Sequence, residues 1–266
     1  MVKLKQKDNL LKNIELFSKK ACSLIDDARV VCDKYFRKNP DVSIKKDDSP
    51  VTIADKEIEN LLREGLKKHF PDHNILGEEG GYSDNNSYYT WVIDPIDGTK
   101  AFAAGIPTFG IMVGLAYKGK PILGIVDQPI SKERWVGIDG KSTTLNEKII
   151  TTRRCENIEN AVFSTTDPYF FKSDEKAIFD KIRNSTLYNI YGKDCYAYML
   201  LATGYIDIVL ENGLKPHDFC ALVPIIKGAG GFITDWNGDE ITLNSDGHLL
   251  VCGSKELHTK ASNLIK

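Results

Sequence analysis

Apolar residues recur at two different periods along the chain, and the change of period separates helices from strands. Over residues 9–38, Leu11, Ile14, Phe17, Ala21, Leu24, Ile25, Ala28 and Val31 recur every three or four positions, which predicts one long amphipathic helix. A polar stretch ending in Ser49-Pro50 reads as a turn. A second helix is predicted from about Ala54 to His69, with Ile58, Leu61, Leu62 and Leu66 on its buried face and Phe70-Pro71 closing it. "NILGEEGGYSDNNSYY" predicts a short strand and then a mobile loop over 80–88, rich in Gly, Ser and Asn.

Strands follow. "WVI" ends one at Ile93, with a sharp turn after it. "FGIMVGLAY" and "PILGIVDQPI" are apolar runs joined by the hairpin signal Lys118-Gly119-Lys120, and "RWVGI" is a further strand turning at Asp139-Gly140. From about residue 151 strands and helices alternate. "AVFST" and "TLYNI" flank a helix at 174–183, and "DCYAYMLLATG" is a helix ending at Gly204. "IDIVLE" is a strand, and "DFCALVPIIKGAG" is one helix opened by Asp218. "GFITDW" and "HLLVCG" are strands, and a last helix follows Ser254. The pattern is α/β, with mixed sheets and helices in layers.

Composition narrows the function without naming it. The 266 residues suit one large domain or two tightly joined halves. With 35 Lys+Arg against 37 Asp+Glu there is no basic surplus, which argues against a nucleic-acid binder. No apolar run reaches the roughly 18 residues of a membrane span, and "MVKLKQKDNL" has no signal-peptide core. Cys22, Cys32, Cys155, Cys195, Cys220 and Cys252 are scattered without metal spacing and read as free thiols of a reducing cytoplasm.

The chemistry sits in the carboxylates. "WVIDPIDGTKAF" places Asp94 and Asp97 at a strand end, held by Pro95 and Gly98, where like charges repel unless a cation lies between them. Glu78 and Glu79 follow Gly77 at another strand end. Asp55 and Asp218 stand near predicted helix starts, where a carboxylate alone stabilises the helix through its dipole. Hard divalent cations take oxygen ligands. Two of them about 3.5–4 Å apart can clamp the attacking and leaving oxygens of a phosphate ester. The N–H groups of Gly98 and Thr99, at a helix start, would seat phosphate oxygens.

"SPVTIADKEIE", "GEE", "WVIDPIDGTKAF" and "KPHDFCALVPIIKGAGGFITDWNG" occur in the order found in the inositol-monophosphatase family, which the chain resembles over most of its length. The resemblance implies a lithium-sensitive, magnesium-dependent phosphomonoesterase with two or three Mg2+ ions. It implies a layered α-β-α-β-α sandwich, with an α+β half over 1–150 and an α/β half over 151–266 forming one catalytic unit, usually as a homodimer. By position, Glu78, Asp94 and the carbonyl of Ile96 would hold the first ion. Asp94, Asp97 and Asp218 would hold the second, and Glu78 would support a third. Thr99 and Asp55 would orient and activate the water. His217 would pack or shape the pocket, and Lys45 or Lys46 could support the metals electrostatically or belong to a solvated charge run.

The resemblance also locates the substrate body, against Asp97, Asp194, Glu211 and Asp218. Inositol-directed members share Glu211 but usually carry a small residue where Asp194 stands. An acid there suits a cationic leaving group, and "DPIDGTKAF", "GIVDQPISKERWVG" and "KDCYAYMLLATG" look more like the family's histidinol-phosphatases. That implies hydrolysis of L-histidinol phosphate, a small ester with no nucleic-acid or membrane partner. Inositol monophosphatase is the alternative, followed by a bisphosphate nucleotidase or sugar bisphosphatase. A non-catalytic phosphometabolite-binding regulator is the other class, and it would be expected to lack one of these residues. Asp194 could instead serve as a helix N-cap.

Overall fold

The computed structural model describes residues 2–38, 41–45 and 50–265. Helix α1 (Val2–Tyr35) begins earlier than its apolar stripe and ends three residues sooner than expected. A two-stranded ribbon, β1 (Val42–Ile44) with β2 (Pro50–Thr52), leads into α2 (Ile53–His69). The turn placed at Ser49 lies outside the described residues.

An antiparallel meander forms the larger sheet. Its strands are β3 (Asn74–Gly77), β4 (Gly81–Ser83), β5 (Tyr89–Asp97), β6 (Gly110–Tyr117), β7 (Lys120–Gln128), β8 (Glu133–Ile138), β9 (Thr144–Leu145) and β10 (Lys148–Ile149). They run in the order β10-β9-β8-β7-β6-β5-β3-β4, with only β3 and β5 parallel. The one-turn helix α3 (Thr99–Ala103) leaves β5. Strand β4 stands inside the segment expected to be all loop.

The second sheet has the order β12-β11-β13-β15-β14. Its strands are β11 (Val162–Thr165), β12 (Tyr188–Tyr191), β13 (Ile208–Glu211), β14 (Phe232–Thr234) and β15 (Leu249–Cys252). Between them run α4 (Asp174–Ser185), α5 (Cys195–Ala202), α6 (Pro216–Phe219) and α7 (Leu222–Gly228), and α8 (Lys255–Ile265) closes the chain. The single helix expected over 218–230 is thus two. Pro224 has no N–H to donate to the turn before it, so the hydrogen bonding breaks there.

Three apolar cores stack these elements into an α-β-α-β-α sandwich. Ile25, Ala28, Ile58 and Leu62 of α1 and α2 pack on Ile111, Val113 and Leu115, one face of β6. Met112, on the opposite face, joins Val126 and Trp135 against Met199, Leu222 and Ile225 from α5 and α7, which also meet Val209 and Val251 of the second sheet. Phe163, Leu210 and Leu250 turn outward to α4 and α8 through Phe179 and Leu257. Alternate residues of one strand thus serve two cores, as the strand period of two requires.

Glycines let the middle helix layer touch the large sheet. A Cβ on Gly124 would stand 1.8 Å from the carbonyl oxygen of Ala221, and one on Gly137 would stand 2.4 Å from the nitrogen of Ile225. Only strands bare of side chains there allow α7 to seat so closely. That seating brings Asp218, on α6, to the end of β5.

Candidate active site

The end of β5 does not turn sharply, as expected from Pro95 and Gly98. It continues through a bulge. Asp94 pairs with Met112 and Asp97 with Gly110, so three steps on β5 match two on β6. In a regular strand, residues three apart face opposite sides. The extra residue turns Asp97 to the side of Asp94, and Pro95 is tolerated because a bulge needs no ladder N–H. Carboxylate oxygens of Asp94, Asp97 and Asp218 lie within 4.8 Å of one another. A second trio of ligating atoms, from Glu78, Asp94 and His217, is equally close.

Asp94 is 2% exposed, and its Oδ1 has no hydrogen-bond donor among the described residues. Burial pushes its pKa well above the ordinary range, and Glu78, Asp97, Asp218 and Asp55 push it further. Asp97 is likewise raised by burial and by Asp194 and Asp218. A buried acceptor without a donor, among convergent oxygen ligands of one charge, fits a hard divalent cation. Lys45 Nζ lies 2.7 Å from Glu78 Oε1 and also pairs with Glu79. Lys46 lies outside the described residues. His217 Nε2 is 3.6 Å from Asp218 Oδ1.

Asp55 and Thr99 meet behind this cluster. Asp55 Oδ2 accepts from Thr52 N at 2.8 Å and Thr52 Oγ1 at 2.5 Å, part of the capping box that starts α2. Its other oxygen, Oδ1, is 3.1 Å from Thr99 Oγ1, which is also 3.0 Å from the carbonyl of Ile96. Burial raises the Asp55 pKa against the donors of Thr52 and Thr99. Gly98 precedes α3 at φ +88°, in the left-handed region that favours glycine.

Asp194 stands at the N-cap position of α5 but caps nothing with its side chain. The cap comes from Asp97, whose Oδ2 accepts from Cys195 N. The Asp194 backbone, at φ +46°, turns its carboxylate onto Gly98, where a Cβ would meet Asp194 Oδ2 at 2.8 Å. Burial lifts its pKa to about 6, against the pull of Lys100 and Lys193. Glu211 is buried, and burial pushes its pKa up to about 8. Its Oε1 accepts from Thr166 N at 2.6 Å and Thr166 Oγ1 at 2.9 Å, and its Oε2 from Thr165 Oγ1 at 3.2 Å.

A cleft of about 480 Å³ joins these groups. Glu78, Asp97, Thr99, His217 and Asp218 line it together with Asp194, Glu211, Thr166, Phe170 and Leu214. Every acid singled out in the sequence is therefore in or against one site. Sequence reasoning missed Thr166, Phe170 and Leu214, which carry no motif.

The inositol monophosphatase family model matches residues 13–266. The bifunctional phosphatase IMPL2 of Arabidopsis thaliana, a chloroplastic protein, is 43% identical over 257 residues, covering 93% of this chain and 74% of its own. A histidinol-phosphatase of Chlorobaculum parvum is 31% identical over 221 residues, covering 82% and 85%. The structure of an inositol monophosphatase from Zymomonas mobilis superposes with a TM-score of 0.87 at 39% identity, covering 94% of this chain and 98% of that one. No helix among the described residues is long and apolar enough to cross a membrane. The chain belongs to the inositol monophosphatase family, metal-dependent phosphatases that typically use magnesium and act on small phosphate esters.

Proposed function

We propose that the chain is a magnesium-dependent histidinol-phosphatase, releasing phosphate from L-histidinol phosphate. One observation carries the choice of substrate: the Asp194 carboxylate rests on Gly98 with no capping duty. Negative charge beside a phosphate seat disfavours an ester with a neutral body. It favours one whose body carries a cation, as histidinol does with its ammonium and imidazole.

Glu78, Asp94, Asp97, Asp218 and the Ile96 carbonyl would hold magnesium, which supplies positive charge against the phosphate and its departing oxygen. The N–H groups of Gly98 and Thr99 would orient the phosphate. Thr99 Oγ1 would accept the proton of the attacking water as its own passes to Asp55 Oδ1. The raised pKa of Asp55 suits that task, and its second oxygen, held by Thr52, keeps the pair aligned. Asp194 and Glu211 would face the substrate body.

A second reading, inositol monophosphatase, is favoured by the 39% identity to the Zymomonas mobilis enzyme. The test is phosphate release from L-histidinol phosphate and inositol 1-phosphate by wild type and Asp194→Ala, at matched magnesium and pH. Removing one partner of a buried charge pair commonly costs about 2–5 kcal/mol, so kcat/KM for histidinol phosphate should fall roughly 30-fold or more. Inositol 1-phosphate should lose much less. Equal losses on both esters would return the assignment to the inositol reading.

A further inference from the structure

Phe170 is 46% exposed, whereas its neighbour Phe171 is 3% exposed. It ends a single 3-10 turn, Pro168–Phe170, started by Asp167, whose Oδ1 accepts from Tyr169 N at 2.9 Å. The backbone is tied down from behind. Asn212 Nδ2 donates to the Phe170 carbonyl at 3.2 Å and to Glu175 Oε2 at 2.8 Å. Glu175 Oε1 in turn lies 2.9 Å from His248 Nε2. An apolar ring thus stands open, on an anchored support, to the cleft that Asp194 also lines.

The ring already has a cation over it. Lys100 Nζ lies 5.6 Å from the Phe170 centroid, within the range at which an ammonium is attracted to an aromatic face. The same lysine favours the ionised form of Asp194. Lys100 therefore serves both groups that a cationic substrate body would serve.

We propose that Phe170 is a specificity-determining residue whose ring seats a flat cationic substrate body, with the Lys100 ammonium holding that seat until such a body displaces it. For the histidinol-phosphate reading, on which this rests, the body is the imidazole. Asp194 then selects for charge and Phe170 for an aromatic plane, so the two preferences separate. A polyol carries no plane to stack on the ring, and an alkyl ammonium uses only the cation–ring attraction.

The test compares Phe170→Leu, which keeps bulk without a π-face, with Phe170→Tyr, which keeps both. Each is assayed with magnesium on L-histidinol phosphate, phosphoethanolamine and inositol 1-phosphate. Aromatic pairing of this kind is worth about 2- to 13-fold. Phe170→Leu should lower kcat/KM for histidinol phosphate by that factor, mostly through KM, with smaller losses on the other two esters. Phe170→Tyr should stay close to wild type. Equal losses on all three esters, no loss on histidinol phosphate, or a Tyr variant as poor as Leu would overturn the proposal. If wild type hydrolyses inositol 1-phosphate and not histidinol phosphate, the substrate reading has failed and takes the seat with it. If wild type turns over histidinol phosphate and Phe170→Leu equals it, the seat alone has failed.

Discussion

At the scale of single residues, Asp94 concentrates the electrostatics of the site. Its carboxyl is buried among Glu78, Asp97, Asp218 and Asp55, with one oxygen lacking a donor among the described residues. Asp94→Asn keeps the shape and removes one of several like charges. Without metal the variant should therefore melt no lower than wild type. The thermal shift that magnesium gives wild type should vanish with activity, because binding to the folded state alone is what raises the midpoint. Normal magnesium stabilisation with near wild-type turnover would remove Asp94 from the metal centre. Thr99→Ala should behave in the opposite way. Its hydroxyl meets Asp55 and not the convergent acids. Magnesium stabilisation should persist while kcat falls by about 10²–10⁴-fold, the usual worth of general-base assistance. An unchanged kcat would take both Thr99 and Asp55 out of the mechanism. These residues were legible because each sits in a short contiguous string. Their partners were not. Asp97 accepts from Cys195 across 98 residues, and Glu211 is held by Thr165 and Thr166 across 46 and 45. No periodicity or local motif encodes such pairs, so Asp194 could still be read as a cap.

At the scale of elements, the site depends on how α6 and α7 lie against the large sheet. Helices and long strands were readable from apolar spacing, since burial of one face decides them. The bulge in β5, the two-residue strands β9 and β10, and the break before α7 were not. They answer to neighbours across the sheet and to one missing N–H, not to a repeating pattern. The glycine contacts are of that non-local kind and can be tested. Gly124→Ala would set a methyl 1.8 Å from the Ala221 carbonyl oxygen, which is backbone and cannot rotate away. Overpacking of this sort typically costs about 1–3 kcal/mol, and the relief available is to lift the helix segment carrying Asp218. Gly124→Ala should therefore lower the urea midpoint and weaken magnesium binding together. Gly119→Ala faces open space, though its φ of +77° makes alanine strained there too. It serves as the control, because its strain lies far from α6 and should leave magnesium affinity alone. If Gly124→Ala destabilises the fold and binds magnesium as wild type does, the seating of α7 does not govern Asp218.

At the scale of the whole molecule, the same acids that build the site work against the empty fold, and this gives a pH dependence of definite sign. Asp94 and Asp97 have folded pKa values raised above their unfolded ones by burial and by each other's neighbours. Asp194 is raised to about 6 and Glu211 to about 8, burial being the main cause in both. A group with a raised folded pKa contributes stability that is fully present below its unfolded pKa and is lost as pH rises through the folded value. The metal-free protein should therefore lose stability from Asp194 and Glu211 between about pH 4, near the unfolded carboxylate values, and pH 8, with Asp94 and Asp97 adding a loss of the same sign. On the proposed ligand set, magnesium would need Asp94 and Asp97 ionised, so its binding would release protons and strengthen as pH rises. The two stability curves should separate. Thermal midpoints measured with excess magnesium and with chelator should differ little at pH 5 and progressively more toward pH 8. Titration of carboxylates elsewhere on the surface affects both samples alike and cancels in the difference. Calorimetric binding in buffers of different ionisation enthalpy should show net proton release over the same range. A gap between the two melting curves that stays constant, or narrows as pH rises, would mean that the convergent acids are not what magnesium meets.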